Sequence, residues 1–168
     1  MNNDASLDDP QHNRHAVTDL ADARAHLINI IQQSRRYLHI LSESLHPNLY
    51  DDESICAALS AFVRQNPNSH LRILVHDPVH LIKHGHKMMP LIRRLPSKIS
   101  IRQITAPAGD FPFFLSGDLD KSLLFSHEER GNGHCNLHCR VAAQQLRAHF
   151  EEAWRQAENI ADLQTLSL

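Results

Sequence analysis

The apolar positions change their spacing several times along the chain, and each change marks an element. Leu20, Ala23, Leu27, Ile30 and Ile31 recur at helical spacing, with Thr18 or Asp19 placed as N-cap. Arg35-Arg36 are expected in that helix's last turn, where a cation suits the dipole. Tyr37-Leu38-His39-Ile40-Leu41 follows without clean alternation, the pattern of a strand covered on both faces. Ser42 to Tyr50 reads as a polar loop at the carboxyl end of that strand, with Glu43 as a solvated acid. Asp51-Asp52 opens a second helix whose apolar face is Ile55, Leu59, Phe62 and Val63, and Asn66-Pro67-Asn68 ends it. Leu71–Val75 is the next strand. Strand, helix, strand at these lengths predicts a parallel pair with a right-handed crossover.

A third helical stretch runs through Leu81, Ile82, Met88, Met89, Ile92 and Leu95. Gly85 and Pro90 interrupt it, so a kink is expected near 85–90 and a firm helix from Pro90, a favourable first-turn residue. Ile99–Ile104 alternates as a strand. Phe111–Leu115 and Lys121–Phe125 read as two short strands around a Ser116-Gly117-Asp118 turn. Glu128–Gly133 is a polar loop. One more strand leads into a closing amphipathic helix with Ala142, Leu146, His149, Phe150, Ala153 and Trp154 on one face. The expected fold is α/β, a mixed and largely parallel sheet flanked by helices. Residues 1–16 are expected as a disordered lead-in, 17–160 as a single domain and 161–168 as a frayed tail.

At 168 residues the chain can bury a core without disulfides or a structural metal. Its three cysteines, Cys56, Cys135 and Cys139, do not form a disulfide framework. No apolar run approaches the ~20 residues of a membrane span. The first ten residues lack the basic and apolar regions of a signal peptide, so a cytoplasmic location is expected. No cofactor is implied. The 14 histidines would turn the net charge of −2 positive if half of them protonated.

The order of elements resembles one half of a phospholipase D-like domain, of a bacterial branch. The stretch Arg72-Ile73-Leu74-Val75-His76-Asp77 is similar to that family's arginine–aliphatic–leucine–aliphatic–x–aspartate run, and Phe150-Glu151-Glu152-Ala153-Trp154 to its terminal Phe-x-x-x-Trp. Active members carry histidine-x-lysine, four residues, then aspartate. The resemblance implies a nucleophilic His, a Lys that holds the phosphoryl oxygens, and an Asp that fixes the tautomer of the opposing half's His. Laid on this chain, the spacing selects Phe111, Phe113 and Asp118. A phenyl ring offers phosphorus no lone pair and its oxygens no charge, so a non-catalytic interaction or scaffold domain is expected. Since active single-motif members pair to complete their site, the resemblance also implies a homodimer, here through the face of Phe111 and Phe113.

Two rival readings rest on other residues. Pro78 to Gly109 contains no Asp or Glu, and Lys83, His84, His86, Lys87, Arg93 and Arg94 could bind an anion such as nucleic acid or a phosphorylated ligand. His134, Cys135, His138 and Cys139 are soft-metal ligands close in sequence and would serve a His/Cys-dependent or zinc-dependent hydrolase. On a strand, His134 and His138 face away from Cys135 and Cys139, which argues against one mononuclear site.

Overall fold

The computed structural model of the chain describes residues 14–106 and 112–164. Asp19 caps the first helix by accepting from Asp22 N at 2.7 Å, and α1 (Leu20–Gln33) buries Ala23, Leu27, Ile30 and Ile31. It ends before Arg35-Arg36, which therefore lie beyond the helix and not in its last turn. Ser34 Oγ donates to Ile30 O at 2.7 Å, and the N–H groups of Arg35 and Arg36 are taken by the distant Asp118 carboxylate, which turns the chain out of the helix. Before α1, Arg14–Val17 forms a strand, β1, so the expected lead-in gives its last three residues to the sheet. A backbone ladder holds β1, and only Val17 of it is buried, which is why hydropathy does not reveal it.

The strand β2 (Tyr37–Ser42) is followed by a one-turn helix, α2 (Pro47–Tyr50). The segment expected as a polar loop thus puts Leu45, Leu49 and Tyr50 into the core, while Glu43 stays exposed. Helix α3 (Glu53–Arg64) starts where Asp52 accepts from Ile55 N at 3.0 Å and leads to β3 (His70–Val75). The broken third stretch is α4 (Val79–Lys83) and α5 (Met88–Arg94), separated by Gly85 at φ +63. Helix α5 begins two residues before Pro90, because His86 Nδ1 accepts from Met88 N and Asp51 accepts from Lys87 N. These acceptors satisfy N–H groups that an open helix start leaves without partners.

The chain continues through β4 (Ile99–Gln103), β5 (Phe113–Gly117), β6 (Lys121–His127) and β7 (Asn132–Asn136). The β5 strand includes Gly117, which was expected in the turn; a Cβ there would overlap Ser34 Oγ, so only glycine lets the strand run this close to the end of α1. Helix α6 (Arg140–Gln156), β8 (Glu158–Asn159) and α7 (Ala161–Gln164) complete the described chain. The buried face of α6 is Ala143, Leu146, Phe150 and Ala153; His149, expected on it, is exposed.

Among the described residues the strands form one sheet in the order β1-β7-β6-β5-β2-β3-β4-β8. The β2–β3 and β3–β4 pairs are parallel and form its centre; the other pairs are antiparallel. Alternation along each strand divides the core in two. Leu38, Ile40, Leu71, Ile73, Leu115 and Leu123 face α1, α3 and α5, while Leu41, Leu74 and Phe114 face α6. One face is covered by α1, α3 and α5. The other carries α6, with hollows on both sides of it.

Candidate functional site

The two ends of β2 carry different chemistry. At its carboxyl end, Leu41 pairs with Phe114, so Phe113 stands beside the end of β2 and β3. Phe113 is partly buried and meets the His76 ring edge-on, with centroids 6.0 Å apart. Burial lowers the His76 pKa, with Glu43 opposing. Phe111 lies outside the described residues.

Glu128, directly after β6, reaches the same end. It is 6% exposed, and Ser42 Oγ donates to its Oε1. Burial pushes its carboxyl up to about 7, although Ser42 and the N–H groups of Glu43 and His46 favour its charge. Tyr50 Oη and His46 Nδ1 are buried nearby without a hydrogen-bond partner among the described residues. The Tyr50 phenol is held far above its usual range by burial and by Glu128. This edge brings the Phe113 and His76 rings and the buried Glu128 carboxyl together, and Arg24 donates to Asn48 O in the segment that follows β2.

Asp118 is at the other end of β5, roughly 16 Å from Phe113 at the rise of a strand. It accepts from the backbone N–H groups of Arg35 at 2.9 Å, Arg36 at 2.8 Å and Tyr37 at 3.3 Å, and its own N–H donates to Tyr37 O. Its carboxylate is thus a backbone clamp between α1 and β2. Its backbone is left-handed, φ +49, a conformation aspartate tolerates better than most residues.

At this amino end of β2, on the α6 face, Tyr37, His39, His70, Arg72, Arg147 and Glu151 line a hollow of about 350 Å³. His39 is 6% exposed and lies flat on Phe150, 4.2 Å between centroids and 7° between planes. Burial, then the Arg72 and Arg147 charges, lowers its pKa to about 3. It is therefore neutral and aromatic at physiological pH. Nothing in the local sequence marks this group, because Arg72 and Arg147 come from β3 and α6.

The basic stretch does not act as one surface. Lys83, His84, Lys87, Arg93 and Arg94 are exposed, but His86 is buried, its Nε2 bonded to Leu45 O at 2.9 Å. With Nδ1 accepting from Met88 N, His86 is a structural link between two segments, and burial keeps it neutral. Lys98 caps the carbonyls of Asn66, Pro67 and Ser69, and Arg102 lies over Trp154 on the opposite face of the sheet. Asp51 also reaches the start of α5, supplying a carboxylate that the local sequence lacks.

The four soft ligands separate. Cys135 is buried in the α1-side core, where burial raises its thiol to about 11, and His134 is on the α6 side. Strand β7 stops at Asn136; His138 is exposed, and Cys139 is buried at the start of α6. Among the described residues, no three His, Cys, Asp or Glu side chains group as a metal site. No described helix is long and apolar enough to cross a membrane.

Comparisons with known proteins agree with this frame. The phospholipase D family member Nuc from Salmonella typhimurium superposes with a TM-score of 0.65 at 12% identity, over 88% of this chain and 98% of that one. NucT from Helicobacter pylori matches at 0.65 and 11% identity, over the same shares. TrmBL2, an archaeal chromatin protein described as showing a novel mode of DNA binding, matches at 0.62 and 12% identity over 90% of this chain. This chain spans 55% of the length of TrmBL2. These identities show the fold alone. No curated protein sequence matches. Residues 19–166 match the family described as a domain of unknown function, DUF7931. The chain thus belongs to that family, which it carries on a phospholipase D-like fold.

Proposed function

We propose that the domain keeps the phospholipase D-like frame without its hydrolysis and works as an interaction or scaffold protein in the cytoplasm. Phe113 carries the reading: it stands where the resemblance requires a lysine, and it packs against His76 at the carboxyl end of the parallel strands. Glu128 supports it, since above pH 7 its charge opposes a phosphodiester at this edge. The test incubates the purified chain with bis-p-nitrophenyl phosphate and with plasmid DNA. Release at the buffer rate is the expected result. Turnover that survives chelation and disappears in His76→Ala would overturn the proposal.

The partner in this reading is a second copy meeting the face of Phe113. Light scattering after size exclusion should give twice the chain mass, reduced to one in Phe113→Glu; a strict monomer in the wild type would sink that part. A second reading, anion binding through α4 and α5, is favoured by the exposure of Lys83, His84, Lys87, Arg93 and Arg94. It also draws on the description of TrmBL2 as a DNA-binding protein. It requires that Lys83→Ala with Arg93→Ala weaken binding of DNA or RNA at low salt.

A further inference from the structure

The hollow beside His39 does not stand alone. A second hollow, of about 300 Å³, adjoins it and shares Tyr37; Arg35, Arg36 and Arg140 supply its cations. Tyr37 lies between the two, partly buried. Behind it the rings continue: Tyr37 to His39 at 6.1 Å and 23°, His39 to Phe150, and Phe150 to Trp154 at 5.7 Å and 18°. A planar ring entering the groove therefore meets the open end of an aromatic stack, while arginines lie on either side.

The carboxylates that reach the groove are occupied. Glu151 accepts from Arg72 at 3.3 Å, which leaves most of that guanidinium's donors open. Asp118 is held by three backbone N–H groups, and Asp120 pairs with Lys121 at 2.9 Å and with His138 at 3.6 Å. Among the described residues, no carboxylate forms an ion pair with Arg35, Arg36, Arg140 or Arg147. Guanidinium groups match phosphate oxygens in pairs, and aromatic rings stack on any base.

We propose that this groove binds single-stranded nucleic acid, with phosphates on the arginines and a base on Tyr37. Each hollow is large enough for one nucleotide and too small for a duplex about 20 Å wide, whose bases are in any case already stacked. Two adjoining hollows, each with its own arginines, fit consecutive nucleotides of one strand better than a free mononucleotide. The inference does not depend on the loss of hydrolysis, and its residues are separate from those of α4 and α5.

The test is fluorescence anisotropy of the full chain with labelled ten-nucleotide oligo-dT and oligo-U, a ten-base-pair duplex, and dTMP as competitor. At least one single strand should bind, the duplex more weakly, with affinity falling steeply between about 50 and about 200 mM salt. Arg147→Ala and Tyr37→Ala should each cost about tenfold, the arginine change also flattening the salt slope by about one unit and the tyrosine change leaving it intact. Arg35→Ala, on an exposed residue that packs against no core, repeats the arginine test if Arg147→Ala melts early. Tyr37→Phe should bind like the wild type. The proposal is overturned by absence of salt-sensitive binding to either single strand, or by equal or tighter duplex binding. It is also overturned by competition from dTMP at nucleotide-equivalent concentration, or by loss on Lys83→Ala with Arg93→Ala while Arg147→Ala and Arg35→Ala bind normally. That last pattern would leave the α4–α5 reading standing.

Discussion

The two ends of β2 lie five residues apart and are opposites. At the carboxyl end, burial pushes the Glu128 carboxyl up to about 7, and the Phe113 ring packs edge-on against His76. At the amino end, a histidine is held neutral by burial and then by nearby arginines, and the carboxylates are tied to backbone N–H groups or to other cations. Both buried groups are disfavoured in their charged form, so each prefers neutrality. Their surroundings differ: Glu43 stands near Glu128 at the carboxyl edge, and Arg72 and Arg147 stand near His39 at the amino edge.

The largest test of this contrast is acid titration. His39 falls from 6.5 free to about 3 folded, so the unfolded chain binds its proton first. Its contribution is complete above pH 6.5 and is lost as pH falls toward 3, at about 1.4 kcal/mol per unit and roughly 5 kcal/mol over the window. His76, His86 and His134, also lowered by burial, tilt the curve the same way. Urea melts at a series of pH values should show this slope in the wild type and a flatter one in His39→Phe; equal slopes would mean that His39 is not buried as described.

The Asp118 clamp comes next. Asp118→Ala removes an acceptor from three backbone N–H groups and leaves alanine in a left-handed turn, a loss of about 4 kcal/mol by denaturant melt, with Asp118→Asn losing about half. A catalytic role with no structural part would leave both melts unchanged.

The smallest effect is at the carboxyl edge and has the opposite sign to that of His39. Glu128 rises from 4.5 to about 7, so the folded state holds the extra proton. Its contribution is complete below pH 4.5 and is lost as pH rises through 7, about 3 kcal/mol in all. Glu128→Gln should gain on the wild type by that amount between pH 4.5 and pH 8; a constant difference between the two would show the carboxyl to be solvated.

Much of the frame was legible because it is written in short-range patterns. The faces of α1 and α3 follow from apolar spacing, and Asp19 and Asp52 cap where cap residues stand. The parallel β2–β3 pair follows from the length of the crossover. Polarity misled where a polar segment owes its place to something else: β1 to its ladder with β7, and the 42–50 segment to the burial of Leu45, Leu49 and Tyr50. His86 looked like part of a basic patch because sequence does not show that its ring closes two backbone gaps.

Sequence alone determined the order of the main helices and strands and the phospholipase D-like frame, since spacing, caps and breakers act within a few residues of one another. Tertiary structure alone decided the site chemistry. Ser42 meets Glu128 across 86 residues, and Arg35 meets Asp118 across 83. The charges around His39 arrive from β3 and α6. A pKa, an ion pair or a groove depends on distance and burial in space, and those exist only after the sheet has brought remote segments side by side.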